Sequence, residues 1–130
     1  MKTASIFQNS VRGIGSLMLV LGLIVWTGSA DVLVPFHILL GILLVLALFA
    51  LAFVAARAGV PLGLVILTVA WALVMPALGM AQESLLPDPS AFHWVIQVVH
   101  LLIGVGAIGM AEMLGSRMKK AGAASSGAVE

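Results

Sequence analysis

Four apolar runs, approximately residues 11–29, 32–56, 60–81 and 90–115, restrict this chain to one kind of fold. A helix rises about 1.5 Å per residue, so roughly 20 apolar residues cross the ~30 Å hydrocarbon layer of a bilayer. Each run is about that long or longer. Inside lipid every backbone N–H and C=O needs an internal partner, and a single segment provides them all only as a helix. The expected fold is therefore all-α, a four-transmembrane-helix up-down bundle over residues 1–118 with residues 119–130 as a disordered cytoplasmic tail. Of 130 residues, 62% are hydrophobic and 8% charged, which leaves no room for a soluble catalytic domain. Any site must be built from helix residues. Cysteine is absent, which excludes disulfides, thiolate metal centres and cysteine nucleophiles.

Charge distribution sets an orientation. Lys2 and Arg12 precede or open the first run, Arg57 lies between the second and third, and Arg117, Lys119 and Lys120 follow the fourth. All six basic residues then fall on one side, and the opposite connections hold Asp31, Glu83 and Asp88. By the positive-inside rule both termini are cytoplasmic, in a plasma membrane of bacterial inner-membrane type. Arg57-Ala-Gly-Val-Pro61 supplies a helix-stopping Gly59 and a Pro61 suited to open the next helix. Asp88 or Ser90 can cap the fourth helix, with Pro89 near its first turn, and Asp31 can cap the second. Gly28-Ser29-Ala30 before Asp31 also fits a secretory cleavage site, which would remove residues 1–30. The apolar core running through Trp26 exceeds a typical signal core, and Gly13, Gly15 and Gly22 read as a packing face, so the first span is expected to stay.

The few polar side chains inside the spans carry the functional reading. On the fourth run His93, Gln97, His100, Gly104, Ala107 and Ala111 recur at intervals of three and four, which puts them on one helical stripe facing the bundle interior. On the second, His37, Gly41, Leu44, Leu48, Ala52 and Ala55 do the same. Both stripes contain a histidine followed four residues later by glycine. His37 lies 20 residues before Arg57 and His100 lies 17 before Arg117. That difference is about 4.5 Å of helix rise, so the two imidazoles should lie at similar depth, facing each other across the core. Ionisable side chains are costly in a membrane and mark function more often than chance, whereas a lone histidine near the interface, such as His93 beside Trp94, is ordinarily a packing or hydrogen-bonding contact.

An iron porphyrin accepts an imidazole nitrogen on each face and needs a gap for its ring. In its four-span plan, His37-x-x-x-Gly41 and His100-x-x-x-Gly104, the chain resembles the membrane-embedded b-type cytochromes, whose haem is held in a four-helix bundle between histidines of two facing helices. The resemblance implies one haem b bound by His37 and His100 as metal ligands, with Gly15, Gly22, Gly41 and Gly104 at the ring. It implies an electron carrier or oxidoreductase that takes electrons from a quinone pool or passes them to a redox partner on the outer side. Two-haem members have a second histidine further along each ligand helix; the second span has none, so one haem is the limit. His93 and His100, seven residues or about 10.5 Å apart, cannot share one iron. His93 is then a propionate or quinone partner, or an alternative ligand to His37, with Gln97 close to the site.

Other readings use the same residues. A magnesium porphyrin needs only one axial histidine. Met75 and Met80, beside a helix-kinking Pro76, could join the histidines in a Cu(I) site, since thioether and imidazole suit that ion, though methionine is also ordinary packing filler. A non-catalytic membrane subunit or interaction protein would use the histidines structurally. A small carrier or channel would need more charge within its spans than this chain has. Glu112, acidic and within the fourth run, is expected to make a structural ion pair with Arg117 or Arg57. Gly104, Gly106, Gly109 and Gly115 permit close helix approach and could support a homo-oligomer. Partners are thus the lipid bilayer and a redox partner. No phosphate loop, zincin motif, nucleophile–base pair or nucleic-acid-binding pattern is present.

Overall fold

The computed structural model describes residues 2–28, 31–86 and 91–127. Four helices follow one another: α1 Lys2–Trp26, α2 Val34–Arg57, α3 Leu62–Leu85 and α4 His93–Gly127, with a short 3-10 turn, Asp31–Leu33, leading into α2. All four are long and apolar enough to cross a membrane, as a multi-pass membrane protein requires. α1 and α4 outrun their apolar segments. α1 starts well before residue 11, and that polar lead carries Gln8, which is buried against α4. α4 continues through Gly127, across most of residues 119–130 assigned above to a disordered tail, in a stretch rich in the helix formers Lys and Ala. The expected caps Asp88 and Ser90, with Pro89, lie outside the described residues. α2 has Leu33 at its N-cap position and Pro35 in its first turn, and it begins without a side-chain cap.

The α2–α3 connection forms as its sequence requires. Gly59 has a φ of +76°, a left-handed conformation that glycine adopts without strain. Its N–H bonds the Ala56 carbonyl at 3.2 Å, and the Val60 N–H bonds Ala55 at 3.1 Å. These two bonds make a Schellman end to α2 and satisfy carbonyls that would otherwise be orphaned. Pro61, with φ −50° and ψ 129°, is the N-cap residue of α3.

The helices pack as a ring in which each touches its chain neighbours, α1 also touches α4, and α2 and α4 meet across the centre. α2 and α4 therefore form the core of the bundle, and α1 and α3 flank it. On α2, Leu44, Ala47, Leu48, Leu51, Ala52 and Ala55 are buried, a run of threes and ones that traces one helical face. They meet Val11 of α1, Ala72 of α3, and Ala107, Ala111 and Leu114 of α4. In lipid this packing is held by van der Waals contact rather than by exclusion of water. Phe36, Leu39, Leu43, Leu46 and Phe53 on the other faces of α2 are exposed, as a lipid-facing surface should be.

Polar contacts join helices or satisfy buried groups within one. The Trp71 indole Nε1 donates to the Ile103 carbonyl at 2.9 Å, and the ring lies on Gly106, where an added Cβ would come within 2.4 Å of an indole carbon. Gly106→Ala therefore forces Trp71 off that bond; a loss of about 1–3 kcal/mol is expected, read as an earlier thermal transition in detergent. Thr68, fully buried, donates to the Leu64 carbonyl at 2.9 Å and so brings no unsatisfied group into the core. Glu112 pairs with Arg12 of α1, not with the expected Arg57 or Arg117. The guanidinium grips both carboxylate oxygens, through Nε and through Nη2 at 2.6 Å, and Gln8 Nε2 donates to Oε2 at 2.9 Å. Arg57 lies over the Phe53 ring instead, 5.8 Å from its centroid. Glu112→Gln should loosen α1 from α4 with a smaller thermal shift than Gly106→Ala, because exposed ion pairs contribute little.

Candidate functional site

The buried core extends from Leu44 and Ala107 toward the end of the bundle that holds the α2–α3 turn. Toward the other end the helices part around a cavity of about 520 Å³, lined by all four of them. That volume lies within the roughly 300–1,000 Å³ of small-molecule and cofactor sites. His37 and His100 face each other across it, with ring centroids 6.3 Å apart and ring planes tilted by 50°. A metal bound on opposite sides by two imidazoles, with bonds of about 2.0–2.1 Å, holds the ring centroids roughly 6 Å apart. The tilt is compatible with this, since each ring can turn about its own metal bond. Nδ1 of both rings is buried without a hydrogen-bond partner. An orphaned polar atom costs about 1–3 kcal/mol, and here two of them sit on opposing rings.

Glycines shape the cavity: Gly15, Gly22, Gly41 and Gly104 all line it, together with Gly79. His37 packs against Gly22 of α1, where an added Cβ would stand 3.3 Å from the ring's Cε1. His100 packs in the same way against Gly79 of α3, at 3.1 Å. Each histidine of a central helix thus uses a glycine of a flanking helix. Gly41 and Gly104, one turn along from each histidine, line the cavity, but the side chains nearest to them are Met18 and Leu19. Gly15 also lines it and lies under Ile108.

Polar groups are few. Gln97 of α4 and Gln82 of α3 line the cavity with the two histidines, and among the described residues no charged side chain does. Met75, buried, and Met80, exposed, are at its α3 wall with Pro76, which sits inside a continuous helix and leaves the Ala72 carbonyl without its usual N–H partner. His93 is elsewhere. It is not part of the lining, and its Nδ1 donates to the Leu86 carbonyl at the end of α3. That bond ties the start of α4 to the end of α3, so His93→Ala should leave ligand binding in the cavity within about twofold of the parent while loosening this junction. Proteolysis between α3 and α4 would report the loosening. No group of three or more His, Cys, Asp or Glu side chains is clustered among the described residues, so a metal ion here would have the two imidazoles as its strong protein ligands.

The chain matches no family model, no curated protein and no solved structure. A functional reading therefore rests on the cavity and its residues. Those residues suit a tetrapyrrole. The paired imidazoles have the spacing of two axial ligands, the cavity is of cofactor size, and its walls are apolar and relieved by glycine. Gly79 and Gln82 were not singled out in the sequence, although one signal was present. Gly79 lies 18 residues after Pro61 and His100 lies 17 before Arg117, which places them at about 27 and 26 Å from the same end.

Proposed function

We propose that this protein is a membrane b-type cytochrome-like electron carrier, an oxidoreductase component that holds one haem b between His37 and His100. The observation that supports it most is the opposed pair of imidazoles, each with an unpartnered Nδ1, across an apolar cavity. Histidines that served only to tie helices together would make interhelical hydrogen bonds, as Trp71 does, and Nδ1 of neither ring makes one. Bound haem supplies one-electron redox chemistry. Within that reading His37 and His100 each give one ring nitrogen to the iron. Gly22 and Gly79 set the two rings in place, and Gly15, Gly41 and Gly104 keep side chains off the walls. Gln82 and Gln97 offer neutral hydrogen bonds in the site, and His93 holds the α3–α4 junction.

The topology completes the proposal: an up-down bundle with both termini cytoplasmic in a bacterial inner membrane, which puts the cavity in the outer half of the bilayer. Electrons from quinol to a partner on the outer side are then the natural traffic. The test is cofactor content. The full chain, expressed with ample haem supply and purified in mild detergent, should carry one haem per chain. Stoichiometric copper in its place would support the Met75 and histidine copper site, and a colourless, metal-free protein would leave the histidines a structural role.

A further inference from the structure

At the opposite end of the bundle a second cavity, about 350 Å³, opens between α1, α2 and α4. Its lining includes the polar Ser5 and Gln8 of α1 and Lys119 of α4, and the apolar Val54 of α2 and Met118 of α4. We propose that this groove holds the phosphate of an anionic phospholipid, with the start of the acyl chains against Val54 and Met118. The groove is independent of the haem site.

The chemistry is complementary. Lys119 supplies an ammonium, and the Gln8 carboxamide a second N–H beyond the one given to Glu112. Gln8 is only 6% exposed and is held in place on Gly115, where an added Cβ would collide with its carboxamide at 2.4–2.5 Å, so this donor is fixed in advance. The neighbouring carboxylate, Glu112, would repel a phosphate if it were free, but Arg12 already grips both its oxygens. Arg57 closes α2 at this same end, and Arg117 and Lys120 flank Lys119, so the local potential is positive. A cationic pocket between spanning helices, lined by both polar and apolar side chains, suits an anionic head group better than a zwitterionic one.

The groove makes position matter more than charge. Lys119 lines it and Lys120 does not, although both carry the same charge. The full chain in mild detergent is mixed with phosphatidylglycerol or phosphatidylcholine, and retained lipid is counted by native mass spectrometry. About fivefold preference for phosphatidylglycerol is expected. Lys119→Gln should abolish that preference, and Lys120→Gln should leave most of it. Equal retention of the two lipids by the parent, or equal losses in the two variants, would overturn the proposal, since the second is what a diffuse surface potential produces. Displacement of the lipid by millimolar glycerol 3-phosphate would overturn it too, assigning the groove to a soluble phosphate ester.

Discussion

His100→Ala is expected to abolish the low-spin spectrum of the haem-loaded protein, and His37→Ala to do the same. Each ring would contribute one of two axial bonds, and the imidazoles stand 6.3 Å apart with no second histidine pair in the cavity to replace them. Removing even an outer-shell partner of a metal ligand costs about 10–100-fold in affinity, so removing a ligand should weaken haem retention by more than about 100-fold. Either change also removes a ring with an orphaned nitrogen, so the empty variants should be no less stable than the empty parent. That pairing of lost binding with retained stability separates ligands from helix-tying contacts. Quantitative haem content and thermal transitions of both alanine variants check it. A variant that lost stability and kept its haem would assign the ring to packing.

Gly79→Val is expected to do nearly as much without touching a ligand. The first carbon added at this position would stand 3.1 Å from Cε1 of His100 and 3.8 Å from both ring nitrogens. Valine adds two more carbons against the same ring, and His100 must swing out of line with His37. Haem retention should fall by more than about tenfold, with what remains shifted toward high spin, because a displaced ring leaves one face of the iron weakly bound. Gly22→Val should act on His37 in the same way. Gly13→Ala and Gly109→Ala make the comparison specific: neither position has an atom within 4 Å of an added Cβ, so haem retention should not change. Titration of haem into the four purified variants, read at the Soret band, measures all of this at once.

Much of the architecture was legible because lipid leaves so few solutions. Four apolar runs of spanning length became four helices, and the stripe from Leu44 to Ala55 faces the core as its spacing demanded. The depth comparison between His37 and His100, made against Arg57 and Arg117, brought together two rings that meet in space. Helix ends were harder to read. Lys2–Ser10 is too polar to register as a span, yet it continues α1 because Gln8 finds Glu112 and Gly115 on α4. The partner of Glu112 was misjudged because chain proximity pointed to Arg117, whereas packing of α1 on α4 brings Arg12 beside it. Within the site, Gly41 and Gly104 line the cavity, but neither tells which glycine a histidine ring packs on. The ring must lie on a neighbouring helix, and which glycine it meets there depends on helix rotation, which no single segment specifies. Gly79, and the pairing of Gly22 with His37, emerged only once the four helices were assembled.

The most direct measurement is the visible spectrum of the purified full chain, oxidised and then reduced with dithionite, after expression with ample haem. Two imidazoles on one iron predict a Soret band that moves to longer wavelength on reduction, with sharp α and β bands of a low-spin haem b. The absence of any Soret band, or a high-spin spectrum unchanged in His37→Ala and His100→Ala, would mean that these two rings do not share an iron.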